Sequence, residues 1–207
     1  MLDLLNSGGS FMYVILLTSI GALALFCERA FFLYAKLNLN MDNAFDKISA
    51  LLGNSNYRAA LEEVNRIQNH PMGRTLKSGL LKAGKRDKDI EQALQESILR
   101  EMPLLKKRIN YLSMFANVAT LLGLLGTIIG LIAAFAGVAG ASAAEKQQVL
   151  AAGISVAMFT TAFGLIVSIP SLVGFYLLNN RGDHIIEKMD EKSLALFNIL
   201  SGLKREG

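Results

Sequence analysis

The sequence predicts an all-α membrane protein with three transmembrane helices, the second and third extended into a cytoplasmic helical domain. Segments 4–27, 109–144 and 147–180, of 24, 36 and 34 residues, contain no Asp, Glu, Lys, Arg or His. Only 18% of the 207 residues are charged, against about a quarter in ordinary soluble domains. Because about 20 helical residues cross the hydrocarbon core, each segment can cross it once.

The composition also excludes several other classes of protein. The single cysteine, Cys27, can form no internal disulfide, and 52% hydrophobic residues exclude a disordered chain. The basic residues are not clustered with aromatic ones, so we expect no nucleic-acid partner. The chain has no Walker, Rossmann, zinc or hydrolase motif. We therefore expect no enzyme activity, no cofactor and no metal.

The distribution of Lys and Arg predicts the orientation in the membrane. Of 21 such residues, 15 lie in 28–108, five follow Asn180, and one, Lys146, lies between the second and third apolar segments. Basic residues near helix ends favour the cytoplasmic side, so the middle segment and the tail are predicted to be inside. The first apolar segment lacks a basic n-region and a cleavage site and ends in Glu28-Arg29, which indicates a retained anchor.

These patterns divide the chain into seven predicted segments. They are an outer N-terminus at 1–10, transmembrane helices at 11–30, 109–137 and 149–179, a cytoplasmic helical domain at 31–108, an outer hairpin at 138–148, and a cytoplasmic helical tail at 180–207. Within the domain, 37–52, 56–68 and 72–83 are predicted short amphipathic helices. Apolar residues spaced by three and four then predict one helix from about 89 to 136. A similar stripe from Ile186 to Leu203 predicts that the third helix continues into the tail.

Two matching polar stripes lie within the second and third apolar segments. Their members are Thr120, Gly123, Thr127 and Gly130, and Thr161, Gly164, Ser168 and Ser171. Spacings of three and four place each set on one face of its helix. One interpretation is close packing through small residues, with Gly126-x-x-x-Gly130 as a typical contact. The other, which the alignment of two stripes favours, is a shared polar seam.

Pro170 and the absence of charge add to this interpretation. Pro170 leaves the carbonyl of Ile166 without its usual donor, which indicates a tolerated kink or a hinge. Ion sites in membranes normally use a charged or titratable side chain, and segments 109–144 and 147–180 contain none. If this protein moves ions, a partner must supply the carboxylate.

Two motifs resemble a known family. Leu122 to Gly130, LGLLGTIIG, followed by Ala134-Phe135, resembles the second-helix signature of the MotA/TolQ/ExbB proton-channel family, and Thr161 to Pro170, TAFGLIVSIP, resembles its third-helix signature. The predicted number of transmembrane helices, three, resembles that of the TolQ/ExbB branch of this family. The resemblance implies a subunit of a multi-pass complex in the bacterial inner membrane, with its N-terminus periplasmic and its C-terminus cytoplasmic, that converts proton-motive force into envelope transport or mechanical work.

The same resemblance implies partners and site residues. It implies a homopentamer surrounding a single-span TolR/ExbD-like protein with an intramembrane Asp, with a TonB/TolA-like protein as a further partner. Thr127 and Thr161 match the family's channel-facing threonines, and with Ser168 they are the candidate ion-pathway residues. The candidate packing or hinge residues are Gly123, Gly126, Gly130, Gly164 and Pro170.

One position departs from the family pattern. ExbB and TolQ usually carry a Glu five positions before the third-helix threonine, where this chain has Val156. A divergent energiser of gliding, defence or polymer transport is therefore an alternative to the iron-uptake and Tol systems. Two other functions stay open: a passive scaffold or assembly factor, and a small-solute carrier. The missing intramembrane charge and the lack of an inverted repeat disfavour the carrier.

Overall fold

The computed structural model describes residues 11–206, with side chains as far as residue 203, and this range contains seven α-helices and one π-helical segment. The α-helices are α1 (Phe11–Ala30), α2 (Met41–Gly53), α3 (Tyr57–Arg66), α4 (Pro71–Leu80), α5 (Asp87–Lys106), α6 (Ile109–Gly140) and α7 (Lys146–Glu206), and the π-helical segment is Phe31–Lys36. Three helices are long and apolar enough to cross a membrane. The all-α membrane fold is confirmed, while the predicted outer segment 1–10 lies outside the described residues.

The chain divides into two compact units. Of the described residues, the membrane unit comprises Phe11–Ala30 together with Arg108–Leu178, and the extramembrane unit comprises Phe31–Lys107 and 179–206. In the membrane unit, α1 packs on α6. Its buried core contains Ile15 of α1, Ala119 of α6 and Val167 of α7, against which Leu122 and Phe163 pack.

The extramembrane unit has an ordinary apolar core. Its buried residues include Leu33, Leu37, Phe45, Ile48, Leu52, Val64, Met72, Leu76, Ile90, Leu94, Ile98, Leu105, Ile185, Met189, Leu196 and Leu200. The stripes predicted on the helix beginning near residue 89 and on the tail are therefore largely buried. Burial of such side chains stabilises each by about 1.5–3 kcal/mol, which is sufficient reason for these helices to pack together.

The three predicted short helices are confirmed as α2, α3 and α4, and each begins at a residue whose side chain accepts a backbone hydrogen bond. The Asn40 and Asn56 carboxamide oxygens each accept at 3.2 Å, from the amides of Asn43 and Ala59. His70 Nδ1 accepts from the Met72 amide at 3.2 Å. These bonds satisfy amides that have no partner inside the first helical turn.

Ion pairs also connect the helices of this unit. Arg74 of α4 donates to both carboxylate oxygens of the buried Glu101 of α5, with Nε 2.6 Å from Oε1. Lys192 of α7 lies 2.6 Å from the Asp42 carboxylate and over the ring of Phe45, 5.5 Å from its centroid. The Glu101 contact raises the pKa of Arg74, and hydrogen bonding to Asp42 raises the pKa of Lys192.

The prediction of one uninterrupted helix from about 89 to 136 is wrong at one point. Helix α5 ends at Lys106 and α6 begins at Ile109. Arg108 has a left-handed backbone with φ of 64°, which costs a residue with a side chain about 1–2 kcal/mol. Its Nη1 lies 3.0 and 3.2 Å from the two carboxylate oxygens of Glu28, at the end of α1. This ion pair offsets part of the backbone cost, and the sequence pattern did not reveal it.

The prediction that the third helix continues into the tail is confirmed. Helix α7 runs for 61 residues and includes both Pro170 and Gly182. At about 1.5 Å per residue it measures roughly 90 Å, about three times the hydrocarbon thickness.

Candidate functional site

The backbones of α6 and α7 approach closely where both helices carry glycine. A methyl group added at Gly164 would lie 2.7 Å from the Ala119 carbonyl oxygen, and one at Gly123 would lie 3.3 Å from Gly164 Cα. Such distances leave no room for a side chain without a shift of backbone. Small residues of this kind allow helices in lipid to reach packing distance.

Gly126 and Gly130 of α6 face side chains of α7. A methyl group at Gly126 would lie 2.8 Å from Thr160 Oγ1, and one at Gly130 would lie 3.0 Å from the Ala157 Cβ. The structure thus places all four glycine candidates, Gly123, Gly126, Gly130 and Gly164, along one contact between α6 and α7.

The polar side chains of the two stripes meet across this contact. The hydroxyl oxygens of Thr127 and Thr161 lie 2.6 Å apart, and both lie near the Gly123 carbonyl oxygen, at 3.0 and 3.1 Å. The hydroxyl oxygens of Thr120 and Ser168 lie 2.8 Å apart. We call these four side chains the hydroxyl seam. It contains all three candidate pathway residues and adds Thr120.

The geometry at Thr127 and Thr161 allows two equivalent orders of hydrogen bonds. Each hydroxyl has one proton to donate, and there are two acceptors, namely the other hydroxyl and the Gly123 carbonyl. Either threonine can therefore donate to the other while the second donates to Gly123. Both orders satisfy every group, so the bonds can reverse direction. This arrangement can solvate or relay a proton, but it cannot hold a charge near neutral pH.

The seam lies on the side of α6 and α7 away from α1. Helix α1 packs where Leu122 and Phe163 lie, and at about 100° per residue Thr127 is roughly 140° from Leu122 around the α6 axis. The seam is flanked by Leu124 and Leu165, whose exposed fractions are 54% and 42%. Within the seam Ser168 is buried, Thr127 and Thr161 are half-buried, and Thr120 is exposed. The membrane unit therefore leaves part of this polar strip, together with its apolar margins, available to another chain.

The structure places Pro170 inside a continuous helix. Pro170 is exposed, and Ser171 one residue later donates to its own Val167 carbonyl at 2.7 Å. The hydroxyl of Ser171 thus does not join the seam, although the sequence spacing grouped it with Ser168. The role of Pro170 as a hinge stays a prediction.

Thr160 is a contact residue that the sequence reasoning missed. Its hydroxyl is buried, donates to Ala157 at 2.7 Å, and lies against Gly126. The sequence did contain a signal for this face of α7, namely small or apolar residues at spacings of three and four: Ala157, Thr160, Gly164 and Val167. The structure shows that all four are buried. The pattern beginning at Thr161 was more conspicuous because it contains more hydroxyl groups.

Two comparisons with known proteins agree on one family, and a third shows a similar fold. The model of the MotA/TolQ/ExbB proton channel family matches residues 65–191. A putative biopolymer transport protein, ExbB-like 3, from Synechocystis sp. (strain ATCC 27184 / PCC 6803 / Kazusa) is 31% identical over 168 residues, covering 81% of this chain and 79% of that protein. The structure of C. jejuni MotAB is similar with a TM-score of 0.72 at 17% identity, covering 96% of this chain and 80% of that one. The similarity to the MotAB structure shows a shared fold.

Proposed function

Since the chain belongs to the MotA/TolQ/ExbB proton channel family, we propose that it is an ExbB/TolQ-like subunit that couples proton-motive force to envelope transport or mechanical work. It is a multi-pass protein of the bacterial inner membrane. The observation that carries the proposal is the pair of threonine hydroxyls 2.6 Å apart between two charge-free helices. This pair would offer a hydrogen-bond donor and an acceptor to a proton that moves past a carboxylate on another chain. The two hydroxyls can exchange these roles.

The proposal includes an assembly around a second protein. The seam and its exposed apolar margins fit a neighbouring helix, and the charge-free spans supply no titratable group. The occupant we propose is a single-span TolR/ExbD-like helix with an intramembrane Asp, surrounded by a homopentamer of this chain. A TonB/TolA-like protein would receive the work. The chain would thus act as a channel subunit and not as an enzyme.

Valine substitutions at the seam test the proposal. Thr127→Val and Thr161→Val keep the side-chain shape but remove the hydroxyl, so each should reduce proton flux at least tenfold. Flux is measured in liposomes containing the complex and a trapped pH dye, with the chain co-expressed with a single-span partner carrying an intramembrane Asp. Thr160→Val is the matched control, because its hydroxyl bonds only within α7. It should retain flux within about twofold.

Two outcomes would contradict this function. Normal flux in both seam variants would leave close packing as the only role of the hydroxyls and would favour a passive scaffold. Robust proton flux through the purified chain without a partner would also contradict it, because the seam has no group that titrates near neutral pH. Asp→Asn in the partner should abolish flux while the complex still forms.

The proposed orientation needs a separate test. We propose that residues 141–145 are periplasmic and that the extramembrane unit is cytoplasmic, on the basis of the Lys/Arg distribution. With Cys27→Ala as background, Ala144→Cys should react with an impermeant maleimide in intact spheroplasts, whereas Asn54→Cys should react only after lysis. The reverse labelling would overturn this orientation.

A further inference from the structure

Asn117 is a polar residue at depth in the membrane unit. It lies in the charge-free segment of α6 and is exposed, and its carboxamide hydrogen bonds to no other residue within the described range. Nine residues separate it from Arg108, which is about 14 Å along the helix. The predicted span 109–137 has its midpoint at Gly123, six residues or about 9 Å further along α6. Asn117 therefore lies within the roughly 15 Å between the middle of the hydrocarbon core and its edge. Unlike Lys or Arg, Asn is too short to reach the headgroups from there.

Asn117 belongs to a polar stripe that ends at the hydroxyl seam. Asn110, Ser113, Asn117 and Thr120 alternate spacings of three and four, which places them on one side of α6. The stripe begins two residues after Arg108 and meets the seam at Thr120. In the other direction, beyond Thr127, the equivalent positions are the apolar Leu131, Phe135 and Val138. The polar groups of α6 therefore extend from the seam toward its basic end only.

Contact with lipid does not explain why an exposed carboxamide stands at position 117. Hydrocarbon offers no hydrogen-bond partner, and an unpaired polar group there is unfavourable. The neighbouring exposed positions on α6, Met114 and Leu121, are apolar as lipid contact requires. Water satisfies both the donor and the acceptor of a carboxamide, and a hydrated path adjoining the seam would supply it.

We propose that Asn117 is a further pathway residue, whose carboxamide keeps water beside the seam and extends the ion path from Thr120 to the basic end of α6. This inference rests on the proposed channel function. A neutral amide suits the task, because it offers a donor and an acceptor at any pH and places no fixed charge that would retain a cation.

Cysteine accessibility tests whether position 117 is wet. The chain has one native cysteine, so Cys27→Ala gives a cysteine-free background. In the assembled complex in membrane vesicles, Asn117→Cys should react with a charged methanethiosulfonate at least tenfold faster than Leu121→Cys. The reacting thiolate forms in water and not in hydrocarbon. Leu121 is 63% exposed and lies about 100° from Thr120 around the α6 axis, against about 60° for Asn117. It is therefore the apolar control further from the seam.

Two labelling results would overturn the inference. Equally slow reaction at positions 117 and 121 would mean that Asn117 faces a dry environment. Spontaneous disulfides between copies through residue 117, without labelling by the charged reagent, would place it in a dry contact between copies of this chain.

Substitutions then test whether the amide matters for flux. Asn117→Leu keeps the approximate size and removes both hydrogen-bonding groups, so flux should fall at least tenfold with assembly intact. Asn117→Gln keeps the amide and should retain flux within threefold, as should the control Leu121→Val. Normal flux in Asn117→Leu would refute this inference alone if Thr127→Val still lowers flux at least tenfold. Normal flux in the seam variants would instead refute the channel function.

Discussion

The membrane unit and the extramembrane unit are stabilised by different contacts. In the membrane unit, α6 and α7 approach at glycines, and the polar groups that meet between these two helices are neutral hydroxyls and carbonyls. In the extramembrane unit, an apolar core is buried from water and charged groups connect helices, as between Arg74 and Glu101. Lipid supplies no hydrophobic drive for helix association, so close packing has to supply it. In the extramembrane unit the hydrophobic effect in water favours helix association, so apolar side chains of any size can stabilise the contacts between helices.

The largest expected effect comes from filling the glycine contact. Gly164→Ala places a methyl group 2.7 Å from the Ala119 carbonyl oxygen, so the helices must separate, at a cost of about 3 kcal/mol. Gly140→Ala makes the same chemical change where nothing lies within 4 Å, and it should be neutral or slightly stabilising. Unfolding of the detergent-solubilised protein measures both. Equal stability of the two variants would mean that the contact is not tight.

The second expected effect is a pH dependence confined to the extramembrane unit. Burial, followed by the positive charge of Arg74, lowers the pKa of His70 from 6.5 to about 4. Protonation is thus easier in the unfolded chain. Stability should be constant above about pH 7 and should fall as the pH drops from 6.5 toward 4, by up to about 3 kcal/mol.

His70→Asn isolates this pH effect. Asn can still accept the Met72 amide hydrogen bond as an N-cap but does not titrate. Thermal unfolding followed by helical circular dichroism between pH 7 and 4 should show a flatter pH profile for the variant. Parallel profiles for the variant and the native protein would exclude His70 as the cause.

A smaller effect is expected at the buried ion pair. Arg74→Ala leaves the Glu101 carboxylate, whose side chain is 9% exposed, without its cation and should cost about 2 kcal/mol. Arg66→Ala removes the exposed pair with Glu63 and should cost less than about 0.5 kcal/mol. Denaturant unfolding compares them. Similar costs would show that burial of Glu101 adds nothing to its pair.

The smallest expected effect is the coupling between the seam threonines. A double-mutant cycle with Thr127→Val and Thr161→Val should give a coupling free energy of about 0.6 kcal/mol, typical of hydrogen bonds between membrane helices. The valine variants would then lose most of their proton flux while the free energy of unfolding changed little. A coupling above about 2 kcal/mol would make the hydroxyls a principal stabilising contact and would weaken the contrast between the two units.

The sequence alone determined the three spans, the short helices and the helical tail. Charge-free length sets the number of crossings, and periodicity sets the buried faces; both are properties of neighbouring residues in one helix. For the same reason the spacing predicted that Thr127 and Thr161 lie on faces that can meet. It also predicted the glycine candidates at the contact between α6 and α7.

Only the tertiary structure decided which atoms meet. The left-handed Arg108 that separates α5 from α6 contacts Glu28, 80 residues earlier, and the buried Glu101 pairs with Arg74, 27 residues earlier. Ser171 shares the spacing of the seam yet bonds to its own helix, whereas Thr160 lies off that spacing and is buried against Gly126. Helical periodicity fixes a residue's direction to within a fraction of a turn. The choice of partner depends on distances between helices, which no local pattern contains.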